Sequence, residues 1–162
     1  MIQILFVCTG NVFRSMTAEK CLTNYLENNN ISNIKSNSAG TKLAPQEINP
    51  FTLKRLLLYN IKVNHTAKDL TKELLEKSDL IIAMSTDHQE YIKETFGIEV
   101  PLFNEVSYGK SQGVLDFHEH MPNINSVENS QEEFEKYAYF VVEYIYNAIP
   151  NLVNNLPKWI EK

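Results

Sequence analysis

The chain has little cysteine, with two residues in 162, at positions 8 and 21. Two thiols cannot make the framework of a secreted disulfide-stapled protein, so a reduced, cytoplasmic setting is the expectation. Excess positive charge is missing as well. Fifteen Lys and Arg stand against twenty Asp and Glu, for a net charge of −5. Nucleic acid is therefore not an expected partner, because phosphate backbones are held by clustered basic residues. No apolar run reaches membrane-spanning length, which argues against a membrane partner. The N-terminus lacks a basic leader region and runs straight into strand-like sequence, so no cleavable signal is expected. No repeat, low-complexity segment or linker interrupts the chain. What remains is ordinary for one globular domain over 1–162, with 43% hydrophobic and 22% charged residues.

The most informative stretch is Ile4-Leu5-Phe6-Val7-Cys8-Thr9-Gly10-Asn11-Val12-Phe13-Arg14-Ser15. Its first four residues are apolar on both faces, as in a strand buried within a parallel sheet. Gly10 and Asn11 are the residue types that best tolerate positive φ, so the backbone after Cys8 can curl and turn N–H groups inward. Such a nest, with the N-terminus of a following helix, binds anions. Arg14 adds a planar fork for two phosphate oxygens. That field favours a thiolate at Cys8. Ser15 is placed to hydrogen-bond the sulfur and to help it leave when a cysteinyl-phosphate is hydrolysed. Cys-x5-Arg alone is a weak pattern, and its position between strand and helix gives it weight.

Further along, Ala18, Cys21, Leu22, Tyr25 and Leu26 form a helical stripe, with Cys21 read as a core residue. Strand character returns at Ile34–Ser38, before a Pro-containing loop. Asn49-Pro50 starts a helix, and Asn60 stands where a left-handed cap is expected. Thr71 caps a short helix, and Asp79–Met84 reads as a central strand. Thr86–Gln89 reads as a capping box for a helix ending at Gly97. Val100–Phe103 reads as a fourth strand. Residues 104–129 lack periodicity, which in a compact domain signals function or disorder. Ser130–Glu133 reads as a second capping box, opening a strongly amphipathic helix that Pro150 is expected to end. This alternation implies a parallel sheet with helices on both faces and ligands beyond the carboxyl ends of its strands.

Residues 7–15 resemble the phosphate-binding loop of the low-molecular-weight protein tyrosine phosphatases, a loop shared with thioredoxin-coupled arsenate reductases. The resemblance returns at Ser38–Thr41 and Asp79–Met84. It implies a single three-layer α/β domain with four parallel strands in the order 2-1-3-4. It also implies hydrolysis of phosphotyrosine in a protein substrate, without metal or other cofactor, by a monomer or weak dimer. Cys8 is then the nucleophile and Arg14 the phosphate clamp. Thr9, Gly10, Asn11, Val12, Phe13 and Ser15 line the substrate site, while Ser38 and His65 support Asn11. A carboxylic acid must protonate the leaving oxygen and then activate water. Of Asp69, Asp79, Asp87, Asp116 and Glu119, the resemblance favours Asp116, although the family's Asp-Pro-aromatic motif here reads Asp116-Phe117. Phe13 replaces the family's usual second loop cysteine and offers an aromatic wall, as does Phe117.

Three other readings stay open. Phosphoarginine is a rival substrate, though members preferring it tend to carry threonine at the position of Val12. Arsenate reduction needs relay thiols, and Cys21 on an apolar helix face is a poor one. A phosphate-binding module with little turnover would account for the altered Asp116 motif. His118 and His120 lack a third ligand in register, so no metal site is expected.

Overall fold

A computed structural model describes residues 1–114 and 127–161, with side chains in the second stretch from 131 onward. The elements are β1 (Ile2–Cys8), α1 (Arg14–Asn28), β2 (Ile34–Gly40), α2 (Pro50–Leu58), α3 (Lys72–Glu76), β3 (Leu80–Ala83), α4 (Thr86–Phe96), α5 (Phe103–Tyr108) and α6 (Val127–Ile160).

The sheet is parallel, in the order β2-β1-β3. β1 is buried on both faces, and its alternating side chains feed two cores. Ile4, Phe6 and Cys8 point into one with Met16, Leu22, Leu56, Phe103 and the inner face of α6. Leu5 and Val7 point into the other with Leu75 of α3, Ile92 of α4 and Leu102. Helices thus cover both faces. The expected fourth strand is reduced to one parallel bridge, Ala83 to Leu102. Its chain turns at once into α5, because the Glu105 carboxylate accepts from the Leu102 N–H at 2.7 Å and Gly109 closes the helix at φ 68°. Residues 104–108 are therefore helical where the sequence shows no period, and Phe103, expected at the end of the fourth strand, opens the helix.

Two helix boundaries also differ from expectation. α4 is capped one residue early, at Ser85, whose N–H donates to His88 Nδ1 at 3.1 Å. α6 starts at Val127 and runs through both Ser130 and Pro150 to Ile160. An internal proline costs about 3 kcal/mol. The buried stripe continues past it through Leu152 and Leu156, and each such side chain contributes about 1.5–3 kcal/mol by burial. Burial therefore outweighs the breaker. The asparagine caps behave as their residue type allows, with Asn30 at φ 54° and Asn60 at φ 60°.

Register decides what gathers at the carboxyl edge. Cys8 pairs with Gly40, and Val7 with Ala39 and Ala83. Thr41 N–H then bonds the Cys8 carbonyl at 2.9 Å, and Met84 N–H bonds that of Val7 at 2.9 Å. The loop after β1 is thereby flanked by the ends of β2 and β3. Gly40 permits the closeness, since a Cβ there would lie 2.5 Å from the Thr9 carbonyl oxygen.

Candidate active site

Residues 9–13 link β1 to α1, and the sharp bend is taken by Asn11 at φ 56°. Gly10 does not adopt positive φ, so the loop's left-handed position is Asn11. Asn11 is fully buried and its side chain is fully used. Nδ2 donates to Ser15 Oγ and Ser38 Oγ, both at 2.9 Å, and Oδ1 accepts from Lys68 N–H at 3.0 Å. Its carbonyl accepts from His65 Nε2 at 2.7 Å. Ser38 in turn donates to the Glu19 carboxylate, which also lies 3.8 Å from His65 Nδ1. Burial lowers the His65 pKa, against the opposing pull of the Asn11 carbonyl and Glu19, so the neutral ring is favoured. Ser38 and His65 thus both hydrogen-bond Asn11.

This network sets the direction of the last bond in the chain. Cys8 Sγ lies 2.8 Å from Ser15 Oγ. Ser15 Oγ accepts from Asn11, and a thiolate can only accept, so in the thiolate form the Ser15 hydroxyl donates to sulfur. Both atoms are buried at the mouth of the sheet edge.

Arg14 is 5% exposed. Its guanidinium donates to the Val114 carbonyl at 2.7 Å and to Ser85 Oγ at 3.3 Å. Among the described residues it pairs directly with no carboxylate. Ser85 Oγ passes its own hydrogen to Asp87. Burial pushes the Asp87 carboxyl up, while the Ser85 hydrogen bond and the surrounding charge, Arg14 included, hold the group below the usual carboxylate range. Gly113 brings the Val114 carbonyl into place, because a Cβ there would sit 2.6 Å from that of Ser85. Ser85, His88 and Val114 escaped sequence reasoning as site neighbours, whereas Asp87, weighed there as an acid, lies against Ser85. The available signal was a histidine three residues after a serine at a strand end.

Above Cys8 opens a cavity of about 740 Å³ lined by the loop, by residues of 42–50 and by Phe134 and Tyr137 of α6. Phe13 faces both of those rings, with centroids 6.3 and 5.5 Å away. Phe13 therefore ties the loop to α6 as well as walling the cavity. Asp69 sits at a bridge to Gly40, and Asp79 accepts from Gln3 N–H at the opposite end of β1, 2.7 Å away. Asp116, Phe117, His118, Glu119 and His120 lie outside the described residues. Cys21 is buried in α1, where burial pushes its thiol up.

The family model described as low molecular weight phosphotyrosine protein phosphatase matches residues 3–159, so the chain belongs to that family. A protein-arginine-phosphatase of Bacillus subtilis is 36% identical over 96 residues, covering 59% of this chain and 63% of that protein. The low molecular weight protein-tyrosine-phosphatase PtpB of Staphylococcus haemolyticus is 27% identical over 141 residues, covering 86% and 94%. Among solved structures, a mutant of YwlE from Bacillus subtilis superposes with a TM-score of 0.79 at 28% identity, covering 97% and 99%.

Proposed function

We propose that this member of the low-molecular-weight phosphatase family hydrolyses phosphotyrosine in protein substrates through a cysteinyl-phosphate on Cys8. The observation that carries the reading is the Cys8–Ser15 pair at 2.8 Å beside a buried Arg14, on the floor of an open cavity. The thiolate attacks phosphorus in line while the P–O bond to the tyrosyl oxygen breaks. Arg14 holds two non-bridging oxygens, and the loop from Thr9 to Phe13 surrounds the phosphoryl group with its N–H groups. Asp116 protonates the leaving phenoxide. As carboxylate it then takes a proton from the water that attacks the cysteinyl-phosphate, releasing phosphate and returning the thiolate, to which Ser15 donates. Asn11, held by Ser38 and His65, keeps the loop in shape between turnovers.

The cavity supports an aryl group over a flexible one. Phe13, Ile48, Phe134 and Tyr137 give it apolar walls, and Val12 presents methyl groups with no hydroxyl. Rings stacked or set edge-on in such a slot gain about 0.5–1.5 kcal/mol each beyond burial.

Phosphoarginine is the second reading, favoured by the similarity to the Bacillus subtilis arginine phosphatase and by Glu47 in the cavity wall, which suits a guanidinium. Arsenate reduction fits less well, since the described structure offers only the buried Cys21 as a second thiol. Matched phosphotyrosine and phosphoarginine peptides decide between the first two. The proposal expects higher kcat/KM for phosphotyrosine, and a clear preference for phosphoarginine overturns it.

A further inference from the structure

The loop has a second support, on the β3 side, made by the first turn of α4. His88 is buried, and its Nε2 lies 2.9 Å from Thr9 Oγ1. Its Nδ1 lies 3.1 Å from Ser85 N and 3.0 Å from Ser85 Oγ. A backbone N–H can only donate, so Nδ1 is an acceptor and the ring carries its hydrogen on Nε2, aimed at Thr9. Ser85, in the same turn, meets Arg14. One helical turn therefore touches both ends of the loop, residue 9 and residue 14.

We propose that His88 is a positioning residue that pins Thr9 so that the loop is preorganised for the phosphoryl group before it arrives. His88 touches no substrate atom in this account. The inference rests on the reading of residues 8–15 as a phosphoryl site. A loop held in its binding shape for only a fraction of the time binds its anion more weakly by that fraction. Once the anion is bound, it organises the loop itself. Loss of the pin should therefore raise KM and oxyanion Kd while leaving kcat nearly intact.

Two substitutions separate the roles of the ring. Asparagine places a carbonyl near the Nδ1 position and keeps the α4 cap without reaching Thr9. Glutamine places an N–H near the Nε2 position and reaches Thr9 without the cap. In His88→Asn, vanadate Kd and aryl-phosphate KM should rise about two- to tenfold, the loss of one hydrogen bond. His88→Gln should bind vanadate nearly as wild type does while melting earlier. Thr9→Val leaves the cap untouched and should raise Kd by the same factor as His88→Asn, with no further rise when the two are combined. The inference is overturned if His88→Asn binds vanadate as wild type does. It is equally overturned if every variant loses kcat at constant KM and Kd, the mark of a purely structural histidine. Wild type that binds vanadate but turns nothing over would sink only the hydrolytic reading; wild type that binds no oxyanion would sink both.

Discussion

The two flanks of the phosphate loop are built from opposite materials. On the β2 side, Asn11 is enclosed by Ser15, Ser38, Lys68 and His65, every contact a hydrogen bond of 2.7–3.0 Å. On the α6 side, Phe13 meets Phe134 and Tyr137 through ring edges 5.5–6.3 Å between centroids. Hydrogen bonds fix direction, and a buried donor or acceptor that loses its partner costs about 1–3 kcal/mol. Aromatic contacts tolerate sliding and are worth less individually. In the proposed reading the polar flank sets the geometry that the chemistry requires, while the aromatic flank sets the shape of what enters.

The sharpest way to break this comparison is Asn11→Ala. That change strands the Lys68 N–H and forces alanine into a left-handed conformation that costs about 1–2 kcal/mol. A loop displaced by about 1 Å loses about a hundredfold in rate, so kcat/KM should fall by about ten- to a hundredfold, measured with an aryl phosphate. Phe13→Ala should do less, raising KM about two- to tenfold at nearly constant kcat, in line with one lost aromatic contact. Equal losses of kcat in the two variants would erase the distinction between the flanks.

The smallest effect concerns pH. The folded state holds the His65 pKa below its ordinary 6.5. Below 6.5 the unfolded chain therefore binds a proton that the folded protein refuses. The contribution of His65 to stability is full above that value and is lost as pH falls through the folded pKa. His65→Gln keeps an N–H for the Asn11 carbonyl and cannot titrate. The Tm advantage of wild type over this variant should shrink between about pH 7 and about pH 5. An advantage that widens on acidification contradicts a neutral buried ring.

Of the polar flank, Asn11 and Ser15 were legible from their own conformational and chemical demands, Ser38 and His65 only through the resemblance, and Lys68 and Glu19 not at all. An asparagine between glycine and an arginine six residues after a strand-ending cysteine has few other uses. β1, α1, β2 and the asparagine cap at residue 60 followed from the same kind of signal. α5 was not legible, because six residues hold less than two helical turns and show no period. The passage of α6 through Pro150 was hidden for a different reason. A local breaker rule lost to a long-range apolar stripe, whose partners on α1, α2 and α5 are set by tertiary packing. The α4 contribution was missed because His88 serves as both cap and cross-link, and only the register of β3 against β1 brings it to Thr9.

Hydrolysis of an aryl phosphate by wild type beside Cys8→Ser, with vanadate binding measured on both, tests the central claim most directly. The account predicts turnover by wild type, none by Cys8→Ser, and retention of oxyanion binding when the sulfur is replaced. Undiminished hydrolysis by Cys8→Ser would contradict it, because the phosphoryl group would then be passing through some atom other than this sulfur.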